Sequence, residues 1–231
     1  MKILYFDCSC GISGDMALKA LMEISGREKE ILGKMEETDF SGGEGEKEHH
    51  HGHGRSYSIV KKLIESSGFS SEAKKYAKEI YAHIAEAEAR VHGESLDTVH
   101  FHEVGRDEAV KNALGIGMAM EAAAPDRVYA SDIYDGTGTV LCSHGEIPVP
   151  VPAVMALREK SRLVFKEADV NMEMVTPSGL AGLMGIGAEP APEDFEPEKG
   201  KILKKTEAKG SRDTGLGGLK VYLIESEGRQ A

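Results

Sequence analysis

Ile3-Leu4-Tyr5-Phe6-Asp7-Cys8-Ser9-Cys10-Gly11-Ile12-Ser13-Gly14-Asp15-Met16 decides how the rest of the chain is read. The wholly apolar run from Ile3 to Phe6 predicts a short buried strand of a parallel or mixed sheet. A loop of small and polar residues follows, beginning at Asp7. From Met16 to Ile24, the apolar residues Leu18, Leu21 and Met22 recur at helical spacing. Such a loop exposes backbone amides at a helix N-terminus, which suits a phosphate or a carboxylate. Asp7 at the strand's end and Asp15 at the helix start can hold a divalent cation, with Cys8 and Cys10 as softer candidate ligands. The plainer alternative is a tight turn with Ser13 or Asp15 capping the helix.

Outward from this opening, the pattern remains that of an α/β chain. Ser56 is a candidate N-cap for a helix carrying Ile59, Val60, Leu63 and Ile64 on one face, with Gly68 as its stop. A longer helix is predicted from Ser70 or Ser71 to Gly93, since Ala73, Tyr76, Ala77, Ile80, Ile84, Ala87 and Val91 keep the i, i+3/i+4 spacing. Thr98 to Val104 alternates and predicts a strand, and Asp107 to Ala123 a helix. Arg127 to Ile133 predicts a strand, and Gly136 to Cys142 a turn running into another. The proline-rich run from Ile147 to Pro152 cannot be a central strand and leads into a helix at about Ala153 to Glu159. Thr176-Pro177-Ser178-Gly179 precedes a further short helix. Glu189 to Glu198 is a loop, and Lys201 to Glu225 reads as two strands around a glycine turn. The expected fold is α/β: a mixed sheet flanked by helices, with a mobile His-rich linker. Residues 1–26 form its opening, 27–54 the linker, 55–225 the remainder and 226–231 a tail.

The chain has 231 residues, 28 Lys and Arg against 39 Asp and Glu, and a formal charge of −11. That balance argues against a nucleic-acid partner, because the bases do not cluster. No apolar run approaches the roughly 18–20 residues of a membrane span, and the N-terminal apolar stretch is too short for a signal peptide. Three cysteines cannot build a disulfide framework, so the expected compartment is the cytoplasm.

Nine histidines are many for such a chain. His49, His50, His51 and His53 lie in a glycine-rich segment without apolar periodicity. Imidazoles so dense bind Ni²⁺, Cu²⁺ or Zn²⁺, and on a mobile segment they deliver metal better than they catalyse with it. The alternatives are a purification tag, unusual in mid-chain, and a solvated linker without function. His100 and His102 point to one face if Thr98 to Val104 is a strand, with Glu103 nearby to ligate or orient. Such a pair can bind a metal or share acid–base work, or be ordinary partly buried histidines. Cys142, His144 and Glu146 alternate and would share one face of an extended chain. His83 and His92 are expected to be structural.

Taken in order, Asp7-Cys-x-x-Gly-Ile-Ser-Gly-Asp-Met16, the histidine cluster, Arg55-Ser56-Tyr57 and Ala85-Glu-Ala-Glu-Ala-x-Val-His-Gly93 carry a family likeness. So do Val99-His-Phe-His-Glu-Val-Gly105, Gly138-Thr-Val, His144-Gly145, Pro148-Val-Pro-x-Pro152 and Val175-Thr-Pro-Ser-Gly179. The sequence resembles the nickel-insertion proteins of nickel-pincer cofactor synthesis, the LarC type, from Met1 to about Glu225. The resemblance implies a cytoplasmic nickel insertase of the metal-chelatase (lyase) kind. Its substrates would be Ni²⁺ and pyridinium-3,5-bisthiocarboxylic acid mononucleotide, its product the cofactor of lactate racemase, and its reaction CTP-dependent. Read onto this chain, Asp7, Asp15, His100, His102 and Glu103 are the candidate catalytic residues. Gly11, Ser13, Gly14, Thr176 and Ser178 would hold the nucleotide. His49, His50, His51, His53, His100, His102, His144 and Cys8 would handle metal, with Mg or Mn as an accessory ion.

Three departures from the family pattern shape the expectations. The chain stops where the family's CTP-binding second domain would begin, so either a separately encoded partner chain supplies CTP or this copy cannot use it. The stretch between Met16 and the histidines is short for the strands the family has there. Glu108 and Asn112 stand where the family usually has Asp, and an amide cannot replace a carboxylate as an anionic ligand. The competing readings are a nickel storage or delivery module without catalysis, a degenerate paralogue, and a phosphate-handling hydrolase built on Asp7 to Asp15. The final acceptor of the cofactor would be a lactate racemase-type apoenzyme, and an oligomer is compatible with everything above.

Overall fold

The computed structural model describes residues 1–40, 55–142 and 145–226. In chain order they form β1 (Lys2–Asp7), α1 (Gly14–Ser25), α2 (Glu28–Glu37), β2 (Arg55–Ser56), α3 (Tyr57–Ser66), α4 (Ser71–His92), β3 (His100–Phe101), α5 (Asp107–Ala123), β4 (Arg127–Ala130), β5 (Ile133–Asp135), β6 (Thr139–Cys142), β7 (Gly145–Pro148), α6 (Pro152–Lys160), β8 (Phe165–Glu167), α7 (Pro177–Gly185), β9 (Glu189–Pro190), β10 (Lys201–Ala208) and β11 (Leu219–Glu225).

A five-stranded mixed sheet in the order β10-β11-β1-β4-β9 is the centre of the fold. β1 lies between β11, to which it is antiparallel, and β4, to which it is parallel. The apolar run Ile3 to Phe6 is therefore central, and its residues part by period two. Leu4 and Phe6, level with Leu223 and Val221, join the main core against the helices. Ile3 and Tyr5 face the other way, where Phe195 closes over Tyr5 and Tyr129 at ring separations of 5.1 and 5.4 Å. Each fully buried large apolar side chain on the core face contributes about 1.5–3 kcal/mol.

Local signals set the helices. α1 starts at Ser13, whose hydroxyl accepts from the Met16 amide, and stops at Gly26 in the left-handed conformation. Ser56 and Ser70 cap α3 and α4 in the same way, and Gly93 ends α4. α4 packs along α5, α6 and α7, and α1 lies between α5 and the sheet.

Three expectations are corrected. The segment from residue 27 opens not as linker but with α2, whose Ile31 is fully buried, followed by buried Phe40. The anticipated strand over Thr98 to Val104 shrinks to His100–Phe101, paired with Arg55–Ser56, because turns take over at His102. The strand from Arg127 breaks after Ala130, and Ile133 begins a separate parallel pairing with β8. The histidines at 49, 50, 51, 53 and 144 lie outside the described residues. No helix among the described residues is long and apolar enough to cross a membrane.

Candidate functional site

The β1–α1 loop is folded by its own residues and by a segment far away in sequence. The Gly11 amide donates to the Cys8 carbonyl at 3.0 Å, and Ile12 exchanges backbone bonds with Met174 (2.9 Å) and Thr176 (3.0 Å). Gly11 has φ +80°, and a Cβ there would lie 2.2 Å from the Met174 carbonyl oxygen, so only glycine fits. Three residues on, α1 meets α7. A Cβ on Gly14 would lie 2.9 Å from Ser178 Oγ. The absence of a side chain lets the two helix N-termini come together.

Thr176 caps α7 as Ser13 caps α1, its Oγ1 accepting from the Gly179 amide at 3.1 Å while sharing a hydrogen bond with Ser178 Oγ. Behind this junction, Asp135 acts as a clamp. Its side chain is 2% exposed, and one oxygen accepts from the amides of Gly136 (2.9 Å), Met174 (3.2 Å) and Val175 (3.1 Å). The other accepts from Arg158 Nη2 at 2.6 Å, and the Arg158 guanidinium stacks over Phe165. Burial pushes the Asp135 carboxyl above its ordinary range, against the pull of these amides and of Arg158.

The two N-termini open onto a pocket of about 190 Å³. Ser13, Gly14, Asp15, Thr176 and Ser178 line it together with Cys10, Glu173, Arg212 and Thr214. The pocket lies beyond the carboxyl end of β1, and the carboxyl ends of strands are where open α/β sheets commonly bind ligands. Converging helix N-termini favour an anion there. Asp15 opposes this, but its Oδ1 accepts from Asn112 Nδ2 at 2.9 Å. An amide at position 112 can make that contact as a donor, whereas an ionised carboxylate cannot.

The expected site residues therefore separate into groups. Ser13, Gly14, Asp15, Thr176 and Ser178 share the pocket, and Gly11 is buried and not among its lining residues. Asp7 is held by the Ser9 amide (3.2 Å) and by Lys220 (3.8 Å), and is not among the lining residues. Cys8 is fully buried, and burial holds its thiol well above the ordinary range, so it is not presented as a ligand. Cys10 does line the pocket, its thiol pushed up to about 11, chiefly by burial.

His100, His102 and Glu103 are exposed, one short turn before α5 begins. The shared strand face expected for the two histidines is not formed, since β3 ends at Phe101. Arg55 ties this segment down through the Gly105 carbonyl (3.2 Å) and an ion pair with Asp107. From Asp107, α5 climbs to Asn112 and hence to Asp15. Cys142 and Glu146 do not share a face. Cys142 pairs with Gly145 and Leu141 with Glu146, which puts them on opposite sides of the β6–β7 hairpin. Among the described residues, no three His, Cys, Asp or Glu side chains are grouped to hold a metal ion.

Sequence reasoning missed Asp135, Glu173, Arg212 and Thr214. The available signals were faint: Asp135 precedes a Gly-Thr-Gly turn, and Arg212 is one of two bases, with Lys209, in the glycine-rich connection between two strands.

A family profile described as nickel insertion protein matches residues 4–223. Named relatives cover almost the whole chain. The pyridinium-3,5-bisthiocarboxylic acid mononucleotide nickel insertion protein of Acetivibrio thermocellus is 35% identical over 93% of this chain and 58% of its own length. The proteins of the same name from Clostridium kluyveri and Akkermansia muciniphila are 34% and 32% identical, over 98% of this chain and 63% and 61% of their own lengths. The chain thus spans about three fifths of the length of the curated relatives it matches. No solved structure matches it. With the family profile covering nearly all of β1 to β11, the chain belongs to the nickel insertion protein family.

Proposed function

We propose that this chain binds pyridinium-3,5-bisthiocarboxylic acid mononucleotide in the pocket between α1 and α7 and takes part in inserting Ni²⁺ into it. The observation that carries the reading is the convergence of two capped helix N-termini, Ser13–Asp15 and Thr176–Ser178, on one pocket at the end of β1. Such a junction offers backbone amides to a phosphate. The relatives' names supply the nucleotide and the metal.

Nickel is a substrate in this scheme. His49, His50, His51 and His53 collect it, and His100, His102, Glu103 and His144 are the candidates for passing it on, because imidazole nitrogen suits Ni²⁺. Asp15 is the residue through which Mg or Mn would neutralise a bound phosphate, since hard oxygen ligands suit those ions. Asp7, paired with Lys220, supports the loop from behind. The CTP-dependent step belongs to a separately encoded chain, and the product would serve a lactate racemase-type apoenzyme.

The test is reconstitution of the chain with the precursor nucleotide, Ni²⁺ and CTP, with and without the C-terminal half of a relative, reading nickel-bearing nucleotide by mass spectrometry. Product that fails to form with His100→Ala or His102→Ala supports the reading. Tight nickel binding with no nucleotide binding and no product in any mixture would make the chain a storage or delivery module instead.

A further inference from the structure

The charged side chains lining the pocket are two carboxylates, Asp15 and Glu173, and one base, Arg212. Arg212 lies in the connection between β10 and β11, which also contributes Gly210, Ser211, Thr214 and Gly217 to the pocket's lining. Its Nη1 donates to the Glu173 carboxylate and to the Glu173 carbonyl oxygen at 3.2 Å. The two partners differ in exposure, the Glu173 side chain being 9% exposed and that of Arg212 45%. The carboxylate is thus the sequestered half of the pair and the guanidinium the accessible half.

A guanidinium carries five N–H donors in a planar fork. Among the described residues, the contacts of Arg212 engage Nη1 alone. Its Nε–Nη2 edge, which offers two parallel N–H groups, has no protein partner there. That edge matches a group with two acceptor atoms in one plane, such as a carboxylate, a thiocarboxylate or two oxygens of a phosphate. An arginine serving only to neutralise Glu173 gains most from pairing through two nitrogens. Here one nitrogen is spent on the protein.

We infer that Arg212 is the anion-recognition residue of this pocket, anchored by Glu173 through Nη1 and offering its Nε–Nη2 edge to a two-acceptor anionic group of the ligand. The inference rests on the nucleotide reading for the ligand's identity, and names the shared chemistry of its two candidate groups, the ring (thio)carboxylate and the phosphate. Without Arg212, either group would meet Asp15 and Glu173 with only helix N-termini to offset them. Glu173 is the positioning residue.

Titration calorimetry on the whole chain tests this with four probes: nicotinic acid mononucleotide, nicotinamide mononucleotide (no ring carboxylate), nicotinic acid riboside (no phosphate) and inorganic phosphate. Arg212→Gln should weaken nicotinic acid mononucleotide roughly ten- to hundredfold, as expected for a charged hydrogen-bonded pair. Arg212→Lys should recover part of the loss, since it keeps the charge without the fork. Glu173→Gln should cost less than Arg212→Gln. The probe lacking the recognised group should bind the parent protein and Arg212→Gln alike, which tells carboxylate from phosphate. Melting curves confirm that each variant is folded. Equal binding of nicotinic acid mononucleotide by the parent and Arg212→Gln, within twofold, overturns the inference and leaves the nucleotide reading intact. Arg212-dependent binding of inorganic phosphate without any pyridinium nucleotide supports the anion assignment and removes the nucleotide reading. Binding of none of the four probes overturns both.

Discussion

Replacing Asp135 with alanine should destabilise this protein more than any change confined to the pocket surface. The carboxylate accepts three backbone amides on one oxygen and Arg158 on the other, with 2% of the side chain exposed. Alanine strands all of these donors, beside an Arg158 Nε that already lacks a partner. Each buried amide left unsatisfied costs about 1–3 kcal/mol, and breaking one side of a buried ion pair about 3–5 kcal/mol. These costs overlap, because relaxation that helps one donor helps its neighbours, so the expected loss is about 3–5 kcal/mol. For a chain of this size that lowers the melting temperature by about 6–20 °C. Urea unfolding with an unchanged m-value measures it directly.

The double variant Asp135→Ala/Arg158→Met separates the two causes. If the stranded guanidinium dominates, removing it restores most of the stability. If the three amides dominate, the double variant stays within about 1 kcal/mol of the single one, and this is the expected result. A single-variant loss below about 1 kcal/mol would refute the argument that Asp135 clamps Met174 and Val175. Because those residues lead directly into Thr176, the variant should also bind nucleotide more weakly at temperatures well below its melting transition.

Asp135 also predicts a pH dependence. Its folded carboxyl titrates above the ordinary carboxylate range, so the folded state takes up the proton at a higher pH than the unfolded chain does. The stabilisation linked to that shift, as distinct from the ion pair with Arg158, is fully present in acid and is lost as pH rises through the raised value; Asp135→Asn should remove that component from stability measured across the acid range. Gly14→Val should abolish binding of nicotinic acid mononucleotide, because even its Cβ lies 2.9 Å from Ser178 Oγ and must push α7 away from α1; unchanged affinity would show that the junction can yield. Among the three thiols, iodoacetamide at pH 8 should modify Cys142 quickly and Cys8 and Cys10 slowly, since burial encloses the latter two and holds both thiols up. Rapid uptake of more than one equivalent before denaturant is added would contradict that burial.

What could be read from the chain beforehand was whatever is encoded within a turn or two. Ser13, Ser56 and Ser70 each stand where a helix begins, and Gly93 where one stops, because caps act on amides and carbonyls a few residues away. The helix from Asp107 to Ala123 was legible for the same reason. The alternation from Thr98 to Val104 misled because period two needs a partner strand to persist, and β2 supplies only Arg55 and Ser56. α2 escaped notice because its charged residues leave a single buried side chain, Ile31, to mark its inner face.

The pocket itself could not be read in that way. Ser13 and the run Thr176-Pro177-Ser178-Gly179 each looked like the approach to a helix, and nothing local says that the two starts meet. Their meeting depends on Asp135 reaching Met174 across 39 residues, and on Asn112 reaching Asp15 across 97. Arg212 finds Glu173 over another 39 residues. A carboxylate that satisfies backbone amides far along the chain leaves no periodic trace, since any acidic residue before a glycine turn looks the same until the fold closes around it. The glycines carry the complementary information. Gly11 and Gly14 are fixed less by their own turn than by the Met174 carbonyl and the Ser178 hydroxyl pressed against them. A motif such as Cys10-Gly-Ile-Ser-Gly14 therefore records the shape of a neighbour that lies more than 160 residues away, and that neighbour is the other wall of the pocket.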